Sequence, residues 1–412
     1  GTACYLPVWS DTDTLGSSIA CESTSLLSVG GALSAHRFCA SDSYNNQKWG
    51  DSALGTNTTG CRNVAVGYRA LFSNTTGNCN VAIGNAVLCG NKTGLNNVGI
   101  GSGALTQANS GLDNTALGRN SLRSNWGGCY NTAIGAQAMY FNTTGCYNTA
   151  IGLEALHSNT TGDNNAAIGM QALTTNTTGC HNNALGYLAL CSNTEGYHNF
   201  AAGFIALYKN TTGNYNNAIG NQALAANTTG CYNDAIGQAA LCGNTTGNYN
   251  TALGNYALKD NLTGCYNNAI GNNALRTSLS GDHNFAAGQC ALYNNWGGCY
   301  NNAIGSSALY SNTTGCYNNA MGYRALCRNT TGVDNTAIGQ YALSNNTTGY
   351  ENVAMGHMAL YGSLSGIYNV AMGFHALYGN WGGNYNTAIG YTALEKNTTG
   401  CFNVAMGCRA LC

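Results

Sequence analysis

The reactive side chains of this 412-residue chain are its 20 cysteines, and their spacing follows a rule. Cys89, Cys191, Cys242, Cys327 and Cys412 each follow another cysteine by ten or eleven positions, at Cys79, Cys180, Cys231, Cys316 and Cys401. Two thiols flanking a short loop can bridge if their Cα atoms come within about 7 Å. The spacing therefore predicts five clips, Cys79–Cys89, Cys180–Cys191, Cys231–Cys242, Cys316–Cys327 and Cys401–Cys412, and an oxidising compartment. Cys129 with Cys146, and Cys299 with Cys316, offer a second pairing at one common, longer spacing. No C-x-x-C is present and the seven histidines are scattered, so no metal site is expected.

Catalytic signatures are missing. There is no G-x-S-x-G and no H-E-x-x-H, and the 15 acidic residues are dispersed. The chain reads as a non-enzyme without a cofactor. Ten tyrosines and three histidines, among them Tyr130, Tyr232, Tyr249 and Tyr317, recur in one frame as an aromatic stripe. That stripe would stack within the fold or offer ring faces to sugars. Fourteen asparagines that share one frame satisfy N-x-S/T: Asn57, Asn74, Asn91, Asn142, Asn159, Asn176, Asn210, Asn227, Asn244, Asn261, Asn312, Asn329, Asn346 and Asn397. They read either as glycan acceptors at an exposed corner or as ordinary turn residues.

All these residues lie on one period. From Tyr44 to Gly400 the chain is twenty-one copies of a seventeen-residue unit, x-x-N-x-A-I-G-x-x-A-L-x-x-N-T-T-G, and Cys401–Cys412 begins another. Position 3 is Asn and position 7 is Gly in every unit, and no unit carries an insertion. A fixed period of this kind marks a solenoid. The unit is too short for two-helix or leucine-rich repeats, and the short apolar segments N-x-A-I and x-A-L-x read as strands between turns. The expected fold is all-β: a single-chain parallel β-solenoid, or β-roll, of about 22 coils stacked at about 4.8 Å. The handedness of the coil stays open.

Within that coil each position has an expected duty. Gly at position 7, for example Gly135, Gly220 and Gly237, suits a corner at positive φ, and N-T-T-G suits the opposite corner with its Gly left-handed. Asn131, Asn148, Asn233, Asn250 and their equivalents at position 3 form a structural amide ladder. Positions 6 and 11 are expected to supply the large core side chains, with Ala at 5 and 10 allowing close approach. Whether positions 3 and 5 face inward or form an outer wall is undecided at this level.

Composition removes several function classes. Charged residues are 7% of the chain and the net charge is −1, so the basic surface that nucleic acid or an anionic membrane requires is missing. No apolar run is long enough to insert in a bilayer as a helix. Residues 1–43 lie outside the frame and read as a cap or assembly segment, and 44–412 as the solenoid. The chain opens at Gly1 and stops in mid-unit at Cys412, which reads as a processed or partial product with an open coil ready to polymerise. A second, longer period of five coils places "ANSG" at 108, "NTEG" at 193 and "SLSG" at 278 and 363, and N-W-G-G turns at Asn125, Asn295 and Asn380.

The repeat "NTAIGxxAL..NTTG" resembles the repeat arrays of tail-fibre and adhesin-like proteins of bacteriophages and large algal viruses. N-x-A-I-G is also similar to the β-roll repeat in the heads of trimeric autotransporter adhesins, and "GTACYLPVWSDTDTLGSSIA" looks like the segment preceding such arrays in tail fibres. The resemblance implies an extracellular or virion-borne structural fibre that self-associates end to end or laterally, with a possible cell-surface or glycan receptor. A second class is a ligand-binding solenoid, for ice or carbohydrate, since the surface is regular, Thr-rich and nearly uncharged. Position 4, which mixes Thr, Val, Asn and Phe, presents no uniform Thr file for ice.

Overall fold

A computed structural model describes residues 42–412. Twenty-two three-residue strands, β1 (Gln47–Trp49) through β22 (Val404–Met406), form one parallel sheet. Each strand pairs with the next in sequence exactly one repeat unit on, as in Asn217↔Asp234, Ala218↔Ala235 and Ile219↔Ile236. The described residues form an all-β solenoid, with no helix among them, as the period requires. At about 4.8 Å per coil the sheet is about 105 Å long. Residues 1–41, with Cys4, Cys21 and Cys39, fall outside the described residues, so the assignment of 1–43 as a cap finds no test here.

Each coil contains one strand where two were expected. Positions 9 and 11, in the x-A-L-x segment, are left-handed in every coil, for example Gln222 at φ 59° and Leu224 at φ 51°. Alternating helical handedness folds this wall into turns, yet it still bonds axially. Gln222 N–H donates to Phe204 O of the coil before, and Leu224 N–H to Ala240 O of the coil after. Position 2 is left-handed as well, for example Tyr232 at φ 57°. Three non-glycine residues per coil thus bear a left-handed cost of roughly 1–2 kcal/mol each. They bear it because this is how their N–H groups reach the neighbouring coil.

The interior departs from expectation in a specific way. Ala at positions 5 and 10 and Leu at 11 are fully buried, but Ile at 6 is not: Ile219 is 40% exposed. The three-residue strand places residues 4 and 6 on one face and residue 5 on the other, and it is the alanine that points inward. The space that a large residue at 6 would fill is occupied by two asparagines. Position 3 and position 14 are both buried along the solenoid, and their side chains meet at one acceptor. In the coil starting at Cys231, Asn233 Nδ2 and Asn244 Nδ2 both donate to Gly247 O, at 2.9 and 3.0 Å.

Two amide ladders therefore run along the axis. Asn250 Nδ2 donates to Asn233 Oδ1 at 3.1 Å, and Asn250 N–H donates to the same oxygen at 3.0 Å. Asn131 and Asn148 take part in the same way through their backbone N–H groups, bonded to Oδ1 of Asn114 and Asn131. At position 14, Asn244 Nδ2 donates to Asn227 Oδ1 at 2.8 Å. The first ladder begins on Asp42, whose carboxylate accepts from Tyr44 N–H, Asn46 N–H and Asn46 Nδ2. Burial acts to raise its pKa, but the bonds from Asn46 and Tyr44 outweigh that and hold it below the usual value.

The glycines divide into two kinds. Gly220, at position 7, has φ +134°, and a Cβ there would stand 2.5 Å from Gly237 O, so the positive-φ corner is where the period placed it. Gly at position 17 is not left-handed. A Cβ on Gly230 would meet Asn227 Oδ1 and Gly247 O, each at 2.4 Å, so the amide junction itself excludes a side chain.

Three of the four altered turns on the five-coil period break the inner ladder, and the fourth, at Asn193, keeps it. Ala108, Ser278 and Ser363 replace Asn at position 14, and the Oδ1 atoms of Asn91, Asn261 and Asn346, one coil earlier, are buried without a partner. Ser278 Oγ and Ser363 Oγ are unpartnered too. Ser278→Asn should restore the ladder and stabilise the fold by about 1 kcal/mol, read as a higher midpoint of denaturant unfolding. Gly220→Val should have the opposite sign, by several kcal/mol through combined strain and overlap. Amide exchange accelerated around β11 (Asn217–Ile219) and β12 (Asp234–Ile236) would report that loss; unchanged exchange there would refute the corner assignment.

Candidate functional site

Position 1 explains many of the cysteines. Its backbone N–H donates to the position-1 side chain of the following coil: Tyr197 N–H to Asn214 Oδ1, Asn214 N–H to Cys231 Sγ, Cys231 N–H to Asn248 Oδ1, Cys265 N–H to Asp282 Oδ1. Where the column carries a short side chain with an acceptor, Cys, Asn and Asp serve interchangeably. Cys231 Sγ also donates to Thr229 O.

The five clips predicted from spacing are not assembled. All 17 cysteines among the described residues are free thiols. Cys231 is held at its corner as above, whereas Cys242 lies on the other wall within the fields of Lys259 and Asp260. Cys180 donates to Thr178 O, while Cys191 is hydrogen-bonded to Thr174. Cys316 donates to Thr314 O, while Cys327 sits beside Arg324 and Arg328. Cys401 donates to Thr399 O, while Cys412 faces Thr392 and Glu395. Cys79 and Cys89 occupy the corner and wall positions 2 and 12. Three of the five pairs, Cys231/Cys242, Cys316/Cys327 and Cys401/Cys412, are the same pair repeated every five coils. Burial pushes the Cys191, Cys242 and Cys327 thiols up.

The sequon asparagines are core residues. Asn74, Asn91, Asn142, Asn159, Asn176, Asn210, Asn227, Asn244, Asn261, Asn312, Asn329 and Asn346 are fully buried, with Asn57 and Asn397 half-buried at the two ends of the solenoid. The Nδ2 of Asn227, typical of the column, donates to Asn210 Oδ1 and Gly230 O. A glycan would remove one of those donors and would have to pass through the core. The glycan-acceptor reading is therefore corrected; the asparagine–threonine motif here builds the interior.

The aromatic stripe forms a continuous stack. From His181 through His198, Tyr215, Tyr232, Tyr249, Tyr266, His283 and Tyr300 to Tyr317, consecutive ring centroids are 4.7–5.1 Å apart with planes within 10°. Every interior ring has both faces covered by its neighbours. A sugar has no free face to stack on within that run, and only ring edges meet solvent.

Two outward features escaped the sequence reading. Residues 4 and 6 of the strands form an uncovered sheet face on which Asp234 is the only charged residue. Its position-6 file includes Ile151, Ile168, Ile219, Ile236, Ile270 and Ile304, all exposed. The signal was present as the small-residue alternation x-A-I, read as core because isoleucine is usually buried. On another wall, Ser307, Tyr310, Ser311, Arg324, Cys327 and Arg328 line a shallow groove of about 410 Å³, rich in donors and without a carboxylate. Among the described residues no group of three or more His, Cys, Asp and Glu could hold a metal, and no helix is long and apolar enough to cross a membrane.

No family model matches the chain, and no curated protein matches it either. The aromatic stack yields a pH prediction. Burial first, then the neighbouring Tyr215 and Tyr249, raise the Tyr232 phenol above its ordinary value. A raised folded pKa means that the phenol's contribution is intact below the unfolded value near 10.0 and is lost as pH climbs through the folded one. Alkaline titration followed by phenolate absorbance should show late-ionising tyrosines whose ionisation accompanies loosening of the stack, and Tyr232→Phe should remove part of that loosening.

Proposed function

We propose that this protein is a structural subunit of an extracellular or virion-borne fibre, and that copies associate side by side through the outer sheet face. The observation that carries the reading is the exposed position-6 file, a nearly uncharged apolar stripe running the length of the sheet. A face about 105 Å long and one three-residue strand wide covers about 1,000 Å², enough for one side of a specific protein interface. Apolar surface of that extent on a soluble molecule marks an interaction site. Its regular axial spacing suits a partner with the same spacing, and a second copy of this chain has it by construction.

A size exchange on the face supports parallel, in-register packing. Where position 4 becomes Phe, position 6 is cut to Ala: Phe200 with Ala202, and Phe285 with Ala287. Two faces related by an axis along the solenoid bring position 4 of one copy against position 6 of the other in the same coil, so each Phe meets an Ala. Antiparallel facing would set position 4 against position 4 and lose that fit. The position-4 mixture of Thr115, Asn183, Phe200 and Asp234 gives the ice-binding reading nothing specific to rest on.

Ile219→Lys combined with Ile236→Lys should leave the coil folded, because both residues already face solvent, and should abolish association measured by sedimentation. Ala202→Phe should weaken it by filling the hole. Association unaffected by either change would overturn the assignment of this face.

A further inference from the structure

In many coils of the position-1 column an Asn or Asp side chain accepts the backbone N–H of the coil before it, as Asn214, Asn248 and Asp282 do. At two places it holds cysteines in consecutive coils instead. Cys129 precedes Cys146, and Cys299 precedes Cys316, by one period, and the second pair lies ten coils after the first. Cys129 N–H donates to Cys146 Sγ at 3.1 Å, and Cys299 N–H to Cys316 Sγ at 3.2 Å. Each of the four thiols donates to a backbone carbonyl of its own turn, Cys129 to Gly127 O, Cys146 to Thr144 O, Cys299 to Gly297 O and Cys316 to Thr314 O.

The geometry suits a bond between these sulfurs. Adjacent coils place equivalent Cα atoms about 4.8 Å apart, inside the range of about 4.4–6.8 Å that disulfides span. Both Cys146 and Cys299 are half-buried and keep an approach from solvent. Burial first, and then the neighbouring thiol and the carboxylates of Asp163 and Asp282, push their pKa values up. Little thiolate is present at neutral pH, so bond formation requires an activated oxidant or alkaline conditions.

We propose that Cys129–Cys146 and Cys299–Cys316 are sites of axial disulfide formation, each locking one coil to the next. With glutathione disulfide as oxidant, the thiolate of one cysteine attacks a glutathione sulfur, forming a mixed disulfide and expelling one glutathione thiolate. The second cysteine, deprotonated, attacks the protein sulfur of that mixed disulfide and expels the other. The two cysteine protons pass to the two released glutathiones, which take up the electron pair. The site does not depend on the fibre reading, since both sulfurs belong to one chain.

The test uses the intact chain, equilibrated with glutathione disulfide at mildly alkaline pH, alkylated and mapped as peptides without reduction. The expected result is loss of alkylation at Cys129, Cys146, Cys299 and Cys316 with linked peptides 129–146 and 299–316, while Cys180, Cys231 and Cys265, which have no cysteine above or below them in the column, stay alkylated. Free thiols at all four after exchange is complete, stable glutathione adducts in place of the links, or links to other cysteines would overturn the proposal. Cys146→Asn keeps the acceptor that Asn214 and Asn248 supply elsewhere and should fold. In it Cys129 should remain alkylatable and the oxidation-induced slowing of amide exchange across residues 129–162 should vanish, with the 299–316 link unchanged. Slowing that persists in the variant would equally refute the staple.

Discussion

The structure depends on a carbonyl oxygen that accepts two side-chain amides. In each complete coil the last glycine's C=O takes a hydrogen bond from the asparagine of position 3, which crosses the interior from the strand, and in most coils a second from position 14, three residues upstream. This junction closes the ring of the coil. Because most of the amide oxygens also accept from the next coil, the junctions are coupled along the axis, and such chains of hydrogen bonds in a low-dielectric interior reinforce one another. Much of the repeat follows: no Cβ fits at position 17, small residues, mostly alanine, fit beside the amides at positions 5 and 10, and a single leucine fills most of what remains.

An interior built from amides rather than large aliphatic residues must be satisfied in every coil, since a buried amide without a partner forfeits its hydration. The solenoid meets this by periodicity: whatever one coil offers, the next accepts. The same rule governs the left-handed residues at positions 2, 9 and 11 and the acceptor column at position 1. It also makes the exceptions visible. Asn91, Asn261 and Asn346 lose their axial partners at Ala108, Ser278 and Ser363, three of the four altered turns on the five-coil period, whereas the fourth keeps its ladder through Asn193.

Function is left to the surfaces that the ladders do not use. The aromatic stack spends its ring faces on itself, and the first threonine of the N-T-T turns spends its hydroxyl on the next coil's carbonyl, as Thr228 does with Thr245, while the second stands exposed, as at Thr229. What stays uncommitted is the sheet face of positions 4 and 6, the exposed tryptophans Trp126, Trp296 and Trp381, and the groove beside Arg324 and Arg328. The sheet face alone extends over the whole solenoid, which suits side-by-side association more than recognition of a small ligand.

The sequence by itself determined the architecture. An unbroken seventeen-residue period, an invariant Asn and two invariant glycines leave no alternative to stacked parallel coils, and they locate the positive-φ corner at Gly220 and its equivalents. Local letters could not decide which way side chains face. In a strand of three residues a shift by one exchanges inside and outside, and the Ala-in, Ile-out choice follows from two asparagines already filling the interior, one of them far from the strand along the chain. Asn-Thr-Thr-Gly reads the same whether its asparagine points to solvent or to the core; only closure of the coil onto the position-3 amide turned the sequons into a buried ladder. Cysteines eleven positions apart looked paired because the sequence shows their separation along the chain, whereas the fold decides the wall on which each stands.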